Sequence, residues 1–167
     1  MDDSIDALLA DSMIVPECVY RPGSFTGLMT IYESNYIKLR ALSGGFNLPG
    51  GAAVSSAERD RDLYLELVAR EAYTTTLKLT YQFDEPGGTV NDPDLILRVY
   101  HDARLVEAVA GRARHHHVKL RELDLSCGAE LGRRWRINMM LNKWLDYLSD
   151  VGHTLDAARL VAERRAG

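Results

Sequence analysis

The segment Arg98-Val99-Tyr100-His101-Asp102, with Glu107 shortly after it, carries the residue types that general acid–base catalysis uses. Imidazole titrates near neutral pH, a carboxylate can orient it, and a phenol can donate to an oxygen. A small hydrolase-like enzyme using Tyr100, His101, Asp102 and Glu107 is therefore one reading, with His101, Asp102 and Glu107 as the catalytic candidates. Strand alternation works against it, because it puts Arg98 and Tyr100 on one face and His101 on the other. Asp102 beside a turn also has a local use, in bonding nearby backbone. No GxSxG or HExxH motif accompanies the group, so no catalytic residue is assigned.

His115-His116-His117 is the next group with chemical capacity. His115 and His117 would share a strand face and are metal ligands by type, yet no Cys or carboxylate joins them at ligand spacing. They read as a solvated edge, and neither a metal nor another cofactor is expected. Arg112, Arg114, Lys119 and Arg121 surround them, and Arg133, Arg134 and Arg136 follow. This 112–136 stretch could contact phosphates, and nucleic-acid binding is a third reading. The formal net charge of −4 and pI near 5.7 supply no global field for it. Trp135 is the lone aromatic in reach for base stacking. Leu48-Pro49-Gly50-Gly51 and Pro86-Gly87-Gly88 match neither the Walker pattern nor the dinucleotide fingerprint and read as turns.

These residues need elements to position them. Residues 1–22 form an acidic leader, with Asp2, Asp3, Asp6, Asp11 and Glu17 against Arg21. Ser24 to Leu42 predicts a helix: Leu28, Ile31, Tyr32, Asn35, Leu39 and Leu42 make one stripe, Ser24 caps it, and Gly44-Gly45 end it. Ser43 to Asp62 has no periodicity and reads as a loop. Leu63 to Phe83 alternates as two strands broken near Glu71–Thr74. Asp84 to Gly88 and Asn91-Asp92-Pro93 read as loops, Leu95–Tyr100 as a third strand, Leu105–Ala110 as a fourth and His115–Leu120 as a fifth. Arg133 to Val151 predicts the second helix, with Ile137, Leu141, Trp144, Leu145 and Leu148 on one face and Gly152 as its stop. Short connections between strands imply antiparallel neighbours. The expected architecture is α+β: an antiparallel sheet of about four to five strands, with an N-terminal and a C-terminal helix packed on one face. Residues 23–153 form the domain, and 154–167 a basic tail.

Several of these segments in combination resemble the YqiB-like family, bacterial proteins classed as a domain of unknown function. They are Tyr20-x-Pro22; Leu28-Met29, Glu33, Asn35-Tyr36 and Leu39 on the first helix; and Tyr73-Thr74-Thr75. They continue with Leu97-Arg98-Val99-Tyr100-His101-Asp102-Ala103 and Glu107, then Arg134, Asn138, Leu141 and Trp144-Leu145. The resemblance spans roughly residues 20–153 and implies a small bacterial cytoplasmic protein. It brings no assigned catalytic residue. Cys18 and Cys127, with no CxxC pair, fit two reduced thiols in the same compartment. No apolar stretch is long enough for a membrane span.

Asn35 and Asn138 lie on or beside the apolar stripes, where a buried amide must find partners. They read as latches from helix to sheet, or as two amides converging on a ligand. If Leu65, Leu67, Leu77, Leu79, Leu97 and Val99 face the helices, the other face carries Tyr64, Glu66, Arg70, Lys78, Thr80, Arg98 and Tyr100. The leading expectation is a non-enzymatic binding or adaptor module. It would use Tyr64, Arg70, Lys78, Arg98 and Tyr100 on that open face for a protein, a small ligand or a second copy.

Overall fold

The computed structural model describes residues 24–112, 119 and 132–166. The acidic leader, both cysteines, the histidine run and all of the expected fifth strand at 115–120 except residue 119 lie outside the described residues.

Helix α1 (Phe25–Ser43) starts where Ser24, in extended backbone, accepts a hydrogen bond from the Gly27 N–H at 3.1 Å. It ends at Gly44, whose φ of 62° and ψ of 43° are left-handed and whose N–H returns to the Arg40 carbonyl. Asp156 packs so closely here that a Cβ on Gly44 would lie 2.5 Å from its carboxyl carbon. Glycine is thus required for space as well as for φ. Ile31, Tyr32, Asn35, Leu39 and Leu42 are buried along the stripe that the spacing predicts.

Five strands follow: β1 (Ala52–Ser55), β2 (Leu63–Arg70), β3 (Thr74–Glu85), β4 (Gly88–Tyr100) and β5 (Leu105–Arg112). They lie in chain order, each antiparallel to the next, as a meander joined by short turns. Helix α2 (Arg133–Asp150) packs beside α1, both run close to β5, and α3 (Ala157–Ala166) closes the described chain. The fold is α+β, with the N- and C-terminal helices packed together on the sheet.

The core lies between that helix pair and one sheet face. Leu65, Leu77, Leu79, Leu97 and Val99 are fully buried there, in one cluster with Leu39, Leu141, Trp144, Leu145 and Leu148. Burying each such side chain contributes about 1.5–3 kcal/mol, so this layer dominates the stability.

The structure departs from the expected elements in three places. The 43–62 loop contains a short 3-10 turn at Pro49–Gly51 and the edge strand β1, whose four residues are too few to show alternation. Asn91-Asp92-Pro93 is part of β4 rather than a loop. There Asp92 and Pro93, joined by a cis peptide, oppose the single residue Tyr81, and a proline is tolerated at such a bulge. The packed core also runs past residue 153: Thr154 and Leu155 are buried, and the Leu155 N–H donates to the Leu42 carbonyl at 2.7 Å. Among the described residues, no helix is long and apolar enough to cross a membrane.

Candidate functional site

Cross-strand register determines which side chains share the uncovered face. Tyr64 lies opposite Thr80, Glu66 opposite Lys78, Lys78 opposite Ile96, and Arg98 opposite both Thr76 and Glu107. Asp94 joins the row, accepting from Thr80 Oγ1 at 2.8 Å and lying 3.5 Å from Lys78 Nζ. Tyr64, Lys78, Arg98 and Tyr100 therefore occur together as alternation implies. Along the β1 side of this face runs a groove of about 360 Å³, lined by Gly51, Val54, Tyr64, Glu66, Lys78 and Thr80 among others.

Arg70 does not join them. The register shifts between Leu67 and Ala69, so Arg70 pairs with buried Thr75 and moves to the helix side. A bulge of one residue reverses the facing of everything beyond it, which explains the correction. Arg70 instead donates from Nη2 to the Phe46 carbonyl at 3.5 Å. It shares a cleft of about 330 Å³ with Phe46, Glu71, Thr75 and His101.

The acid–base candidates are likewise divided between the two sides. His101 Nε2 hydrogen-bonds Thr75 Oγ1 at 2.7 Å, with the Phe46 ring edge-on at 5.7 Å between centroids. Tyr100 donates instead to Glu107 Oε2 at 3.3 Å, and Glu107 Oε1 lies 3.8 Å from Arg134 Nε. Asp102 is exposed in the turn between β4 and β5. The four residues thus do not converge on one reacting atom. Among the described residues, no three His, Cys, Asp or Glu side chains form a group that could hold a metal ion.

Both asparagines act as latches. Asn138 Oδ1 accepts the Ala108 N–H at 2.7 Å while its Nδ2 donates to the Ala108 carbonyl at 3.3 Å. Asn35 Nδ2 donates to the Val106 carbonyl at 3.3 Å, and its Oδ1 accepts from Asn142 Nδ2 at 2.9 Å. Lys38 continues the seam between the helices, donating to Asn142 Oδ1 and to Asp146 Oδ2, each at 2.9 Å. Side-chain amides from α1 and α2 therefore occupy the Val106 carbonyl and both Ala108 backbone groups on the outer edge of β5.

One constellation carries no signal in the sequence. His153 Nδ1 meets Ser55 Oγ at 2.9 Å, its Nε2 meets Asp60 Oδ2 at 2.9 Å, and Tyr81 donates its hydroxyl proton to the same Asp60 oxygen. Ser, His and Asp in a row invite comparison with a nucleophilic triad, but this ring is used in the opposite sense. In the triad template, Nε2 faces the serine and Nδ1 the carboxylate. Ser55 is also 1% exposed and already accepts the Thr154 N–H at 3.0 Å, which leaves a substrate no approach. An ionised Asp60 can only accept, so Nε2 carries a proton toward it. In the neutral ring Nδ1 then accepts from Ser55. The network fastens β1, the β1–β2 loop, β3 and the segment after α2 to one another.

Two buried phenols give the fold an alkaline limb. Burial first, and then the nearby Glu107 carboxylate, push Tyr32 up to about 12. Burial, then its bond to Asp60, raise Tyr81 as well. A phenol that stays neutral in the folded chain but ionises near pH 10.0 when unfolded lends stability that is complete below pH 10. That stability is lost as pH rises from there through the folded values. The Tyr32 hydroxyl is buried without a hydrogen bond of ordinary geometry. Tyr32→Phe is accordingly expected to lie within about 1 kcal/mol of the parent at pH 7 and to lose stability less steeply between pH 10 and 12. Urea midpoints across that range measure it; superimposable curves for the two proteins would contradict the assignment.

Among the described residues, a meander with helices against one face and along one edge, and no element over the other face, defines a small α+β sheet module. The chain belongs to a protein family of unknown function, DUF1249, whose model matches residues 38–154. No curated protein and no solved structure matches it.

Proposed function

We propose that this chain is a non-enzymatic binding module that holds a polypeptide partner against the uncovered face of its sheet. Within its family, the motifs around Tyr100-His101-Asp102 and Asn138 to Trp144 lead us to group it with the YqiB-like proteins, as a bacterial cytoplasmic member. The observation that carries the proposal is the row formed by Tyr64, Glu66, Lys78, Asp94 and Arg98 across three strands. Tyr and Arg anchor interfaces because each joins a large contact area to a polar end. Signs alternate along the row, which suits a partner strand with alternating charges better than a polyanion. Strand β1 covers β2 only from Leu63 to Glu66, so among the described residues Leu67–Arg70 pairs with β3 on one side and has no strand neighbour on the other. A partner segment could add there while its side chains reach the open face.

The test uses a photo-crosslinking residue at position 66 or 98, with position 33 on α1 as control. Cross-links to one discrete polypeptide from 66 and 98, absent from 33 and abolished by Arg98→Glu with Tyr64→Ala, are the expected result. Each anchor should weaken binding by roughly 30-fold or more, the usual effect of losing a central interface residue. A folded double variant that cross-links as strongly as the parent would remove this face from consideration. The mass of the adduct tells a second copy from a foreign partner.

A further inference from the structure

Among the described residues, two non-glycines hold a positive φ: Phe46 at 65° and Arg104 at 54°. Residues with a Cβ rarely keep this conformation unless the surrounding structure enforces it, and such positions cluster where ligands are held. The two lie on loops that touch. Phe46 follows α1, and its ring packs on His101 in the turn that contains Arg104 and on Tyr36, at 5.4 Å between centroids.

Beside this junction, between the outer side of α1 and the β4–β5 turn, lies a cleft of about 760 Å³. That is the size of a small-molecule site. Its lining includes Glu33, Tyr36, Ile37, Arg40, Ala103 and Arg104. Ile37, on the face of α1 that borders the cleft, is 67% exposed. Arg40 and Arg104 form no ion pair with any described residue, so two guanidinium groups border the same cleft with their charges unmatched. Glu33 stands two helical turns before Arg40, about 10 Å along the axis. The cleft therefore combines two guanidinium groups, the apolar surface of Tyr36 and Ile37, and one carboxylate about two turns from Arg40.

We propose that this cleft binds a small organic anion, a carboxylate or a phosphate monoester on a planar apolar body. Arg40 and Arg104 take the anionic head, because guanidinium forks match planar or tetrahedral oxyanions with charge-assisted hydrogen bonds. Tyr36 and Ile37 cover the body, and Glu33 disfavours a second negative group at the other end. The site is separate from the open sheet face, so either can fail without the other.

The experiment is a titration of the ¹⁵N-labelled full chain with phenyl phosphate, with phenylacetate, and with benzyl alcohol as the uncharged counterpart. Amide shifts confined to residues 33–45 and 103–104 are expected with the anions and not with the alcohol. The stronger of the two anions identifies the head group. Arg40→Gln and Arg104→Gln should each weaken the better anion about tenfold, the loss of one charge-assisted contact. Ile37→Asp, at an exposed helix position, should weaken both anions and provides a variant whose folding is not in question. Shifts scattered over the surface, saturation unchanged in the arginine variants, or alcohol binding as tight as anion binding would each overturn the proposal.

Discussion

Trp144→Ala is expected to lower the unfolding free energy by about 3–5 kcal/mol. The indole is fully buried, is among the largest side chains with no exposure, and packs against the Tyr81 ring at 5.1 Å and 59°. It joins α2 to the middle strand of the sheet, so its removal leaves a cavity flanked by backbone that cannot collapse around it. A domain of this size commonly has about 5–15 kcal/mol in total, so a third or more of the stability would go. Urea unfolding followed by circular dichroism reads it directly. A variant that melts within a degree or two of the parent would show that α2 does not pack as described.

His153→Ala should cost about as much, 3–5 kcal/mol by order of magnitude, for an electrostatic rather than a volumetric reason. Its side chain is 0% exposed and that of Asp60 is 1% exposed, so the substitution strips a buried carboxylate of its imidazole. Ser55 loses its partner at Nδ1 in the same step. His101→Ala is the natural comparison, because it removes the same ring from a half-buried site with the single bond to Thr75. It should cost about 1 kcal/mol, the net value of an ordinary hydrogen bond. If the two variants unfold at the same denaturant concentration, Asp60 and His153 do not fasten the sheet to the segment beyond α2.

How much of this could be read from the sequence varies from element to element. Helix α1 was legible almost to the residue because three independent signals agree: the Ser24 cap, the apolar stripe and Gly44. The alternation of Leu63–Leu67 and Leu77–Phe83 likewise oriented β2 and β3 correctly. Arg70 was misplaced because the intervening bulge contains no Gly or Pro to announce it, and a slip of one residue is enough to change faces. The acid–base candidates were adjacent in sequence but were divided by the alternation that made the strand recognisable. Asp60 and His153 were invisible for another reason. They are 93 residues apart in non-periodic segments, and only the closed fold makes them partners. The cleft beside α1 was equally hidden, since a helix stripe reports its buried side and says nothing of what stands opposite the other.

The two edges of the sheet have different fates in any association between copies. The β5 edge is occupied at two residues, its Ala108 N–H and C=O held by Asn138 and its Val106 carbonyl by Asn35. The β1–β2 edge carries no such cover in the sheet order. A further strand therefore meets less competition at the β1–β2 border than at β5. Two copies meeting edge to edge would join five strands to five and bury both β1–β2 borders in a single antiparallel seam related by a two-fold axis. The outer borders of that ten-stranded ribbon would both be β5, where the Val106 carbonyl and both Ala108 groups are already bonded. Asn35 and Asn138 would thus stand at both outer borders of such a pair, each already bonded to its own strand.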